Sequence, residues 1–147
     1  MSDEFLVVDA SIAAKWIVPE ADSDIAESLL DEYRLIAPDL IYAECANILW
    51  KKVRRSEMTA DEAMLATTFV DEFAVDTVSL ADLVPLAVDL SLRLDHPVYD
   101  CFYIALAILQ DCRLVTADAS LLRKAHARLE QSIVERCVML DALIARS

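Results

Sequence analysis

The feature that most constrains this chain is a regular alternation of short apolar runs with longer amphipathic stretches. Most of the runs are continuous and apolar and rich in β-forming residues, which is typical of strands buried on both faces of a parallel sheet. The strands predicted in this way are residues 5–8, 35–37, 75–78 and 114–116, with a fifth at 138–140. Because parallel strands need crossover connections, the stretches between them should be helices.

Helical periodicity is present in those intervening stretches. The predicted helices are residues 10–17, 23–33, 40–53, 83–94, 100–109, 121–129 and 141–144. Thr59 and Glu62 have the spacing of a capping box and predict one more helix start. Strands alternating with helices indicate an α/β fold with helices on both faces of the sheet. No linker or repeat interrupts the pattern, so we expect a single domain over residues 1–147.

Composition excludes several classes of protein. The chain contains no glycine, so it carries neither a P-loop nor a glycine-rich dinucleotide-binding turn. Left-handed turns must therefore be made by other residues. The formal net charge of −13 argues against a protein that coats nucleic acid nonspecifically. It remains compatible with an enzyme that binds nucleic acid through a local basic patch and metal ions, and it would attract a basic partner.

The cysteines and the N-terminus bear on location. None of the four cysteines forms a C-x-x-C pair and neither histidine has zinc-ligand spacing, so we expect reduced thiols and no structural zinc. The acidic N-terminus, residues 1–4, lacks the basic segment of a signal peptide. The longest apolar stretch, residues 101–109, is too short to span a bilayer. We expect a cytoplasmic protein without membrane association.

Two acidic residues follow predicted strands. Asp9 comes directly after the first strand, and Asp118 comes two residues after the strand at 114–116. In parallel α/β folds ligands bind outside the carboxyl ends of the strands. If both strands lie near the middle of the sheet, the two carboxylates reach the same rim.

Two further acids lie in predicted helices. Glu44 stands between Ile41 and Ile48 on an apolar stripe, where an unpaired carboxylate is costly. Asp100 precedes the apolar run at residues 101–109, near the start of that helix. Each of the four acids also has a purely structural explanation. The three aspartates could be helix N-caps, and Glu44 could reach solvent at the edge of its stripe.

The set as a whole favours a functional site. Two carboxylates about 4 Å apart repel each other by roughly 4 kcal/mol at an effective dielectric constant of about 20. A converging group of acids therefore needs protons or a cation. With oxygen ligands alone, the suitable ion is Mg²⁺ or Mn²⁺, which can activate water and neutralise charge on a phosphate.

Four stretches of the chain resemble a known family. They are residues 8–16, residues 37–50, residues 96–107 (HPVYDCFYIALA) and residues 114–122 (LVTADASLL). In this order and at this spacing they resemble the PIN-domain family, and more narrowly the VapC-type toxins of bacterial and archaeal toxin–antitoxin pairs. Ser56 departs from the pattern, since relatives often have a turn glycine there, which concerns backbone geometry and not chemistry.

The resemblance implies a PIN-like three-layer α/β/α sandwich with a central, mostly parallel sheet of about five strands. It also implies Mg²⁺- or Mn²⁺-dependent endoribonuclease activity on RNA that inhibits growth or translation, a homodimer, and a small antitoxin with a basic inhibitory segment. By position, it assigns the metal-binding and catalytic roles to Asp9, Glu44, Asp100 and Asp118. It assigns accessory roles to Ser11, Thr116 and Asn47.

Other functions compete with this interpretation. The chain could be a PIN-like binding module that docks a partner at its acidic pocket, or a PIN nuclease outside a toxin–antitoxin pair. An acid-pocket phosphatase would need a second aspartate where Ser11 stands, and a receiver domain would need a lysine soon after residues 114–116. For RNA contact the densest basic cluster is residues 51–55, although such charges often only solvate a helix end, and Lys15 is nearer to Asp9.

Overall fold

The computed structural model of the chain describes residues 3–70, 72 and 75–144; Met1 and Ser2, from the acidic N-terminus, lie outside the described residues. The strands are β1 (Phe5–Val8), β2 (Arg34–Pro38), β3 (Val75–Val78), β4 (Arg113–Thr116) and β5 (Cys137–Met139). The helices are α1 (Ala10–Ile17), α2 (Ser23–Glu32), α3 (Leu40–Arg54), α4 (Ala60–Val70), α5 (Val84–Leu94), α6 (Val98–Leu109), α7 (Ala119–Arg128), α8 (Gln131–Val134) and α9 (Leu140–Ile144), with a 3₁₀ turn at Leu80–Leu83 before α5.

The five strands form one sheet in the order β3-β2-β1-β4-β5, and every pair is parallel. β1 is central, with Val7 opposite Ile36 of β2 on one side and Leu114 of β4 on the other. The chain order reverses between β1 and β4, which is the switch point where such folds bind ligands. The predicted parallel α/β architecture is confirmed.

Helices cover both faces of the sheet. Right-handed crossovers place α1 to α4 on one face and α5 to α8 on the other. α6 packs on β1, β2 and β4, and residues 101–107 of this helix are all buried, because the helix is enclosed by the sheet and by α5. α9 returns to contact α2, β4 and β5. The result is the three-layer sandwich that the resemblance implies. Among the described helices, none has the length and hydropathy that a membrane span requires.

Local differences from the sequence prediction concern helix starts. α6 begins at Val98, two residues earlier than predicted, because Pro97 occupies the N-cap position. The N-cap alternative for Asp100 is therefore wrong, since this residue lies in the first turn of the helix. The four residues of α8 were not predicted, because one turn is too short to display helical periodicity.

Three helices end on left-handed residues that are not glycine. They are Ser56, Asp95 and Asp111, with φ of 60°, 50° and 50°. After α3, Ser56 N–H donates to Val53 O at 3.0 Å and Glu57 N–H donates to Lys52 O at 2.9 Å, which is the Schellman pattern. A left-handed residue with a Cβ costs roughly 1–2 kcal/mol, so the absence of glycine lowers stability at these turns.

Candidate active site

Asp9 lies where β1 ends and is the N-cap of α1. Its Oδ1 accepts hydrogen bonds from the Ile12 N–H at 3.2 Å and from the Ser11 hydroxyl at 2.5 Å. The side chain is almost fully enclosed, and this burial raises the pKa of Asp9 to about 6, against the opposing effect of hydrogen bonds from Ser11, Thr116 and Ile12. The negative charge of Asp100 raises the pKa of Asp9 further. Asp9 thus serves as a helix cap and is also a carboxylate whose charged form is disfavoured by burial.

The end of β4 lies beside the end of β1. Thr116 is fully buried, and its Oγ1 accepts a hydrogen bond from the Asp118 N–H at 3.0 Å. Asp118 is the N-cap of α7, where Oδ1 accepts from the backbone N–H of Ser120 at 3.0 Å. Ser11 joins the two strand ends, since its hydroxyl oxygen also accepts from the Ala117 N–H at 3.0 Å. The hydroxyls of Ser11 and Thr116 therefore set the relative positions of Asp9 and Asp118.

Glu44 comes to the same place from α3. It is partly buried, and its Oε1 accepts a 2.6 Å hydrogen bond from the hydroxyl of Tyr103, a buried residue of α6. Burial raises the pKa of Glu44, the Tyr103 hydrogen bond opposes this shift, and the charges of Asp100 and Asp9 add to it. Burial and the Glu44 charge also raise the pKa of Tyr103, which keeps the phenol protonated as a donor. Tyr103 therefore holds Glu44 in a partly buried position, so Glu44 does not extend freely into solvent from the edge of its stripe.

Asp100 is held by a histidine. Its Oδ2 lies 2.6 Å from Nε2 of His96, and Nδ1 of His96 lies 3.0 Å from Nζ of Lys124. A lysine ammonium only donates hydrogen bonds, so Nδ1 accepts and Nε2 carries the proton that is donated to Asp100. Sequence reasoning missed both partners. His96, just before α6, and Asp100, in its first turn, are four residues apart, a spacing that could have indicated their contact. Nothing in the local sequence indicates the contact of His96 with Lys124 of α7.

The four carboxylates line a single cavity of about 160 Å³. Its lining consists of Asp9, Ala10, Ser11, Glu44, Ile48, Asp100 and Asp118 and includes no lysine, arginine or histidine. Thr116 lies behind Asp9 and outside the lining. Asn47 is exposed on α3 and is not among the lining residues, so the structure does not bring it together with the acids.

Each of three acids has one oxygen that is already engaged. Glu44 uses Oε1, Asp100 uses Oδ2 and Asp118 uses Oδ1 as hydrogen-bond acceptors. Within the described part of the chain, the second oxygen of each accepts no hydrogen bond from a side chain or backbone group. Donors on one oxygen fix the orientation of a carboxylate while the other oxygen stays available for a ligand.

The chemistry of this donor set fits a hard divalent cation. Only carboxylate oxygens are offered, which suits Mg²⁺ or Mn²⁺ and not zinc. Burial raises the pKa values of Asp9 and Glu44, and the charges of the neighbouring acids add to these shifts, which a bound cation would oppose. Across residues 3–70, 72 and 75–144, no three Asp, Glu, His or Cys side chains are already arranged as a metal-binding group. The metal ion therefore stays a prediction.

Comparison with known proteins gives independent evidence for the family of the chain. The family model of the PIN domain matches residues 6–127. Among curated relatives, the ribonuclease VapC3 of Pyrobaculum aerophilum is 38% identical over 122 residues, which cover 81% of this chain and 93% of that protein. A relative at this identity and coverage shares the family of the chain.

Solved structures show the same fold. VapC20 of Mycobacterium tuberculosis, described as a sarcin-ricin loop cleaving toxin, matches with a TM-score of 0.62 and 17% identity over 86% of this chain and 97% of that one. VapBC2 of Rickettsia felis, solved with a DNA fragment from its promoter, matches with a TM-score of 0.58 and 16% identity over the same shares of each chain, 86% and 97%. With residues 6–127 matched to the family and the fold in agreement, the chain belongs to the PIN-domain family, in its VapC-type branch.

Proposed function

We propose that this PIN-domain protein is a metal-dependent endoribonuclease that acts as the toxin of a toxin–antitoxin pair and inhibits growth or translation. The observation that carries the proposal is the cavity in which Asp9, Glu44, Asp100 and Asp118 converge without a cation in its lining. The relative VapC3 is named a ribonuclease and VapC20 a toxin that cleaves the sarcin-ricin loop, which supports RNA as the substrate class.

The four acids would hold Mg²⁺ or Mn²⁺. Bound there, the ion would act as a Lewis acid on the scissile phosphate and on the attacking water. The protein contributes orientation. Ser11 holds Asp9 in register with the end of β4, Tyr103 holds Glu44, and His96 holds Asp100.

The protein itself supplies a cavity of carboxylates that hydrogen bonds already hold in position. The partly buried Glu44 has a raised pKa and a free Oε2, which suits it to accept the proton of the attacking water. In-line attack by water would form a bond to phosphorus and break the bond from phosphorus to the 3′-oxygen, which would take a proton from solvent. The products would be a 5′-phosphate and a 3′-hydroxyl. The tyrosine contact keeps the Glu44 side chain aimed at the cavity during that transfer.

A cleavage assay tests the proposal. A labelled RNA is incubated with the protein and Mg²⁺ or Mn²⁺, and we expect fragments that end in 5′-phosphate. Asp9→Asn and Asp100→Asn should abolish cleavage, whereas Asp24→Asn, a neutralised exposed acid of α2, should cleave like the wild type. Equal cleavage by all three variants contradicts the assignment. No cleavage by the wild type, with antitoxin binding retained, would favour a binding module.

Partners follow from the same site. One solved neighbour is described as a toxin–antitoxin complex from Klebsiella pneumoniae. The acidic cavity together with a net charge of −13 would attract a basic segment. We therefore propose a small antitoxin whose basic segment enters the cavity. A homodimer is proposed as well, supported by exposed apolar side chains at Val84, Val88 and Leu92 along one face of α5. Light scattering on the purified protein would give its mass.

We also propose that the protein is located in the cytoplasm. The cysteines Cys45, Cys101, Cys112 and Cys137 are all free. Burial raises the pKa of each of these thiols and makes them poor nucleophiles. Unpaired thiols are typical of the reducing cytoplasm, where an RNA substrate would also be found.

A further inference from the structure

A second cleft, of about 320 Å³, adjoins the acidic cavity. The two share Ser11 and Ile48 in their linings, so a ligand can pass from one to the other without leaving the protein surface. The second cleft has an excess of basic residues. Its lining carries four basic side chains, from Lys15 of α1 and from Lys51, Lys52 and Arg55 at the end of α3, and two acidic ones, Glu20 and Glu57.

Two of these basic residues are neutralised by the protein itself. Lys15 is buried, and its Nζ lies 2.7 Å from Glu20 and 2.8 Å from Asp22. Lys52 lies 3.5 Å from both Glu20 and Glu57. This network of ion pairs connects α1, α2 and α3 and forms the floor of the cleft. It leaves Lys15 and Lys52 with little charge to offer a ligand.

The other two basic residues form no ion pair. Lys51 and Arg55 are exposed, and no carboxylate oxygen in the described part of the chain lies within 4.0 Å of either. The charge of Lys51 lowers the pKa of Glu44, so the field of this lysine reaches the acidic cavity. They stand four residues apart on α3 and therefore lie on one face of the helix. Arg54, between them in sequence, is turned away, with its guanidinium 5.5 Å from the centre of the Trp50 ring. The chain as a whole has a net charge of −13. Two cations that form no ion pair, beside an acidic cavity, therefore create a local positive charge that contrasts with the rest of the protein.

We propose that this cleft binds the RNA backbone next to the scissile phosphate, with Lys51 and Arg55 each contacting a phosphate. The proposal rests on the ribonuclease function proposed above and adds the path of the strand. The acidic cavity repels phosphate, and the protein as a whole does so too, so a strand needs a local cationic contact to be held in reach of the cavity. The ion pairs of Lys15 and Lys52 hold the floor of the cleft in place. They also engage the nearby acids Glu20, Asp22 and Glu57, which therefore do not pair with Lys51 or Arg55.

Steady-state cleavage by the full chain tests this path. The variant is Lys51→Met with Arg55→Met, which keeps the length and helix propensity of both side chains and removes two charges. The matched control is Arg54→Met with Arg128→Met, which removes two charges from exposed positions outside the cleft. Thermal unfolding of both double variants verifies that they fold.

We expect the cleft variant to raise KM about tenfold with kcat nearly unchanged, because the lost contacts hold ground state and transition state alike. The slope of log kcat/KM against log salt concentration should flatten by about 1.4, since each single-strand phosphate contact contributes about 0.7. The control should match the wild type in both. Equal KM and equal salt slope for the cleft variant and the control overturn the proposal.

Failure of the ribonuclease function is a separate result. If the wild type cleaves no RNA, fluorescence anisotropy of a labelled RNA oligonucleotide still decides the cleft. Weaker binding and a flatter salt dependence in the cleft variant alone support it. Equal dissociation constants for wild type, cleft variant and control reject it.

Discussion

The hydroxyl of Tyr103 donates a 2.6 Å hydrogen bond to Oε1 of Glu44 and thereby links α6 to α3 beside the acidic cavity. Tyr103 lies in the fully buried segment of α6, residues 101–107, so its position is set by the core. Through this contact, core packing fixes the direction of a carboxylate that the proposed activity needs. The orientation of Glu44 is thus coupled to the stability of the fold.

Replacing Tyr103 by phenylalanine should destabilise the protein. The substitution keeps the ring and leaves the partly buried Glu44 without its donor, which costs about 1–3 kcal/mol for a hydrogen bond to a charged group. Urea unfolding at neutral pH measures the loss. Tyr99→Phe, in the exposed first turn of the same helix, is the control and should be neutral. Equal stabilities for the two variants would show that the Glu44 contact contributes nothing.

The stability of the metal-free protein should depend on the charge of Asp9. Its pKa is raised from 3.8 to about 6 in the folded state, so the folded form binds the proton more tightly than the unfolded form. The associated stability is present below pH 3.8 and is lost as the pH rises to about 6. Burial raises the pKa of Glu44 as well, and its contribution has the same sign.

Asp9→Asn should therefore stabilise the metal-free protein near pH 7, by up to roughly 3 kcal/mol for a shift of about two pKa units. The amide oxygen still accepts the capping hydrogen bond of the Ile12 N–H. Urea unfolding in chelator from pH 4 to pH 8 gives the comparison, with Asp24→Asn as the control for removal of an exposed charge. A wild type and an Asp9→Asn variant with the same pH dependence would contradict the raised pKa.

Glycine at position 56 should stabilise the fold. Ser56 has φ 60° in the Schellman turn after α3, and glycine removes the roughly 1–2 kcal/mol cost of a left-handed residue, less the greater entropy of glycine when unfolded. We expect a net gain of about 0.5–1 kcal/mol in the free energy of unfolding. Ser79→Gly, at an exposed residue with φ −61°, is the control and should lower it. A loss of stability in Ser56→Gly would argue against the left-handed turn.

His96 should be protonated on Nε2 when the ring is neutral. The Lys124 ammonium lies 3.0 Å from Nδ1 and can only donate, so it selects this tautomer for the contact with Asp100. Nitrogen NMR of the imidazole distinguishes the two ring nitrogens. Lys124→Met should reduce the preference, whereas Lys51→Met should leave it unchanged. A proton on Nδ1 in the wild type would rule out the arrangement.

Local sequence predicted the strands well because most of them are short apolar runs. β3, at the edge of the sheet, also contains the exposed residues Asp76 and Thr77. The run at β1 ends at Asp9, and the switch-point rule then places Asp9 and Asp118 at one rim. Asp100 shows the limit of such reasoning. Its helix begins earlier than the apolar run does, because Pro97 is the cap. Pro97 marks a helix start in the sequence, but the start was predicted from the apolar run alone.

The partners of the acids could not be predicted in the same way. Tyr103 lies 59 residues from Glu44, and Lys124 lies 28 residues from His96. Such contacts depend on how α6 packs against α3 and α7, which no local pattern encodes. In the sequence Tyr103 is one more member of an apolar run, and only the structure shows its hydroxyl directed at a carboxylate.

The most direct test is a calorimetric titration of Mn²⁺ into the purified protein and into five single variants. Four of them change the cavity, Asp9→Asn, Glu44→Gln, Asp100→Asn and Asp118→Asn, and Asp24→Asn is the control. It reports the metal site without requiring catalysis. The account predicts saturable binding to the wild type and to Asp24→Asn, weakened by about tenfold or more in each cavity variant, since each loses a ligand or its charge. No saturable binding by the wild type, or equal affinity in all five variants, would contradict a metal centre built from these four carboxylates.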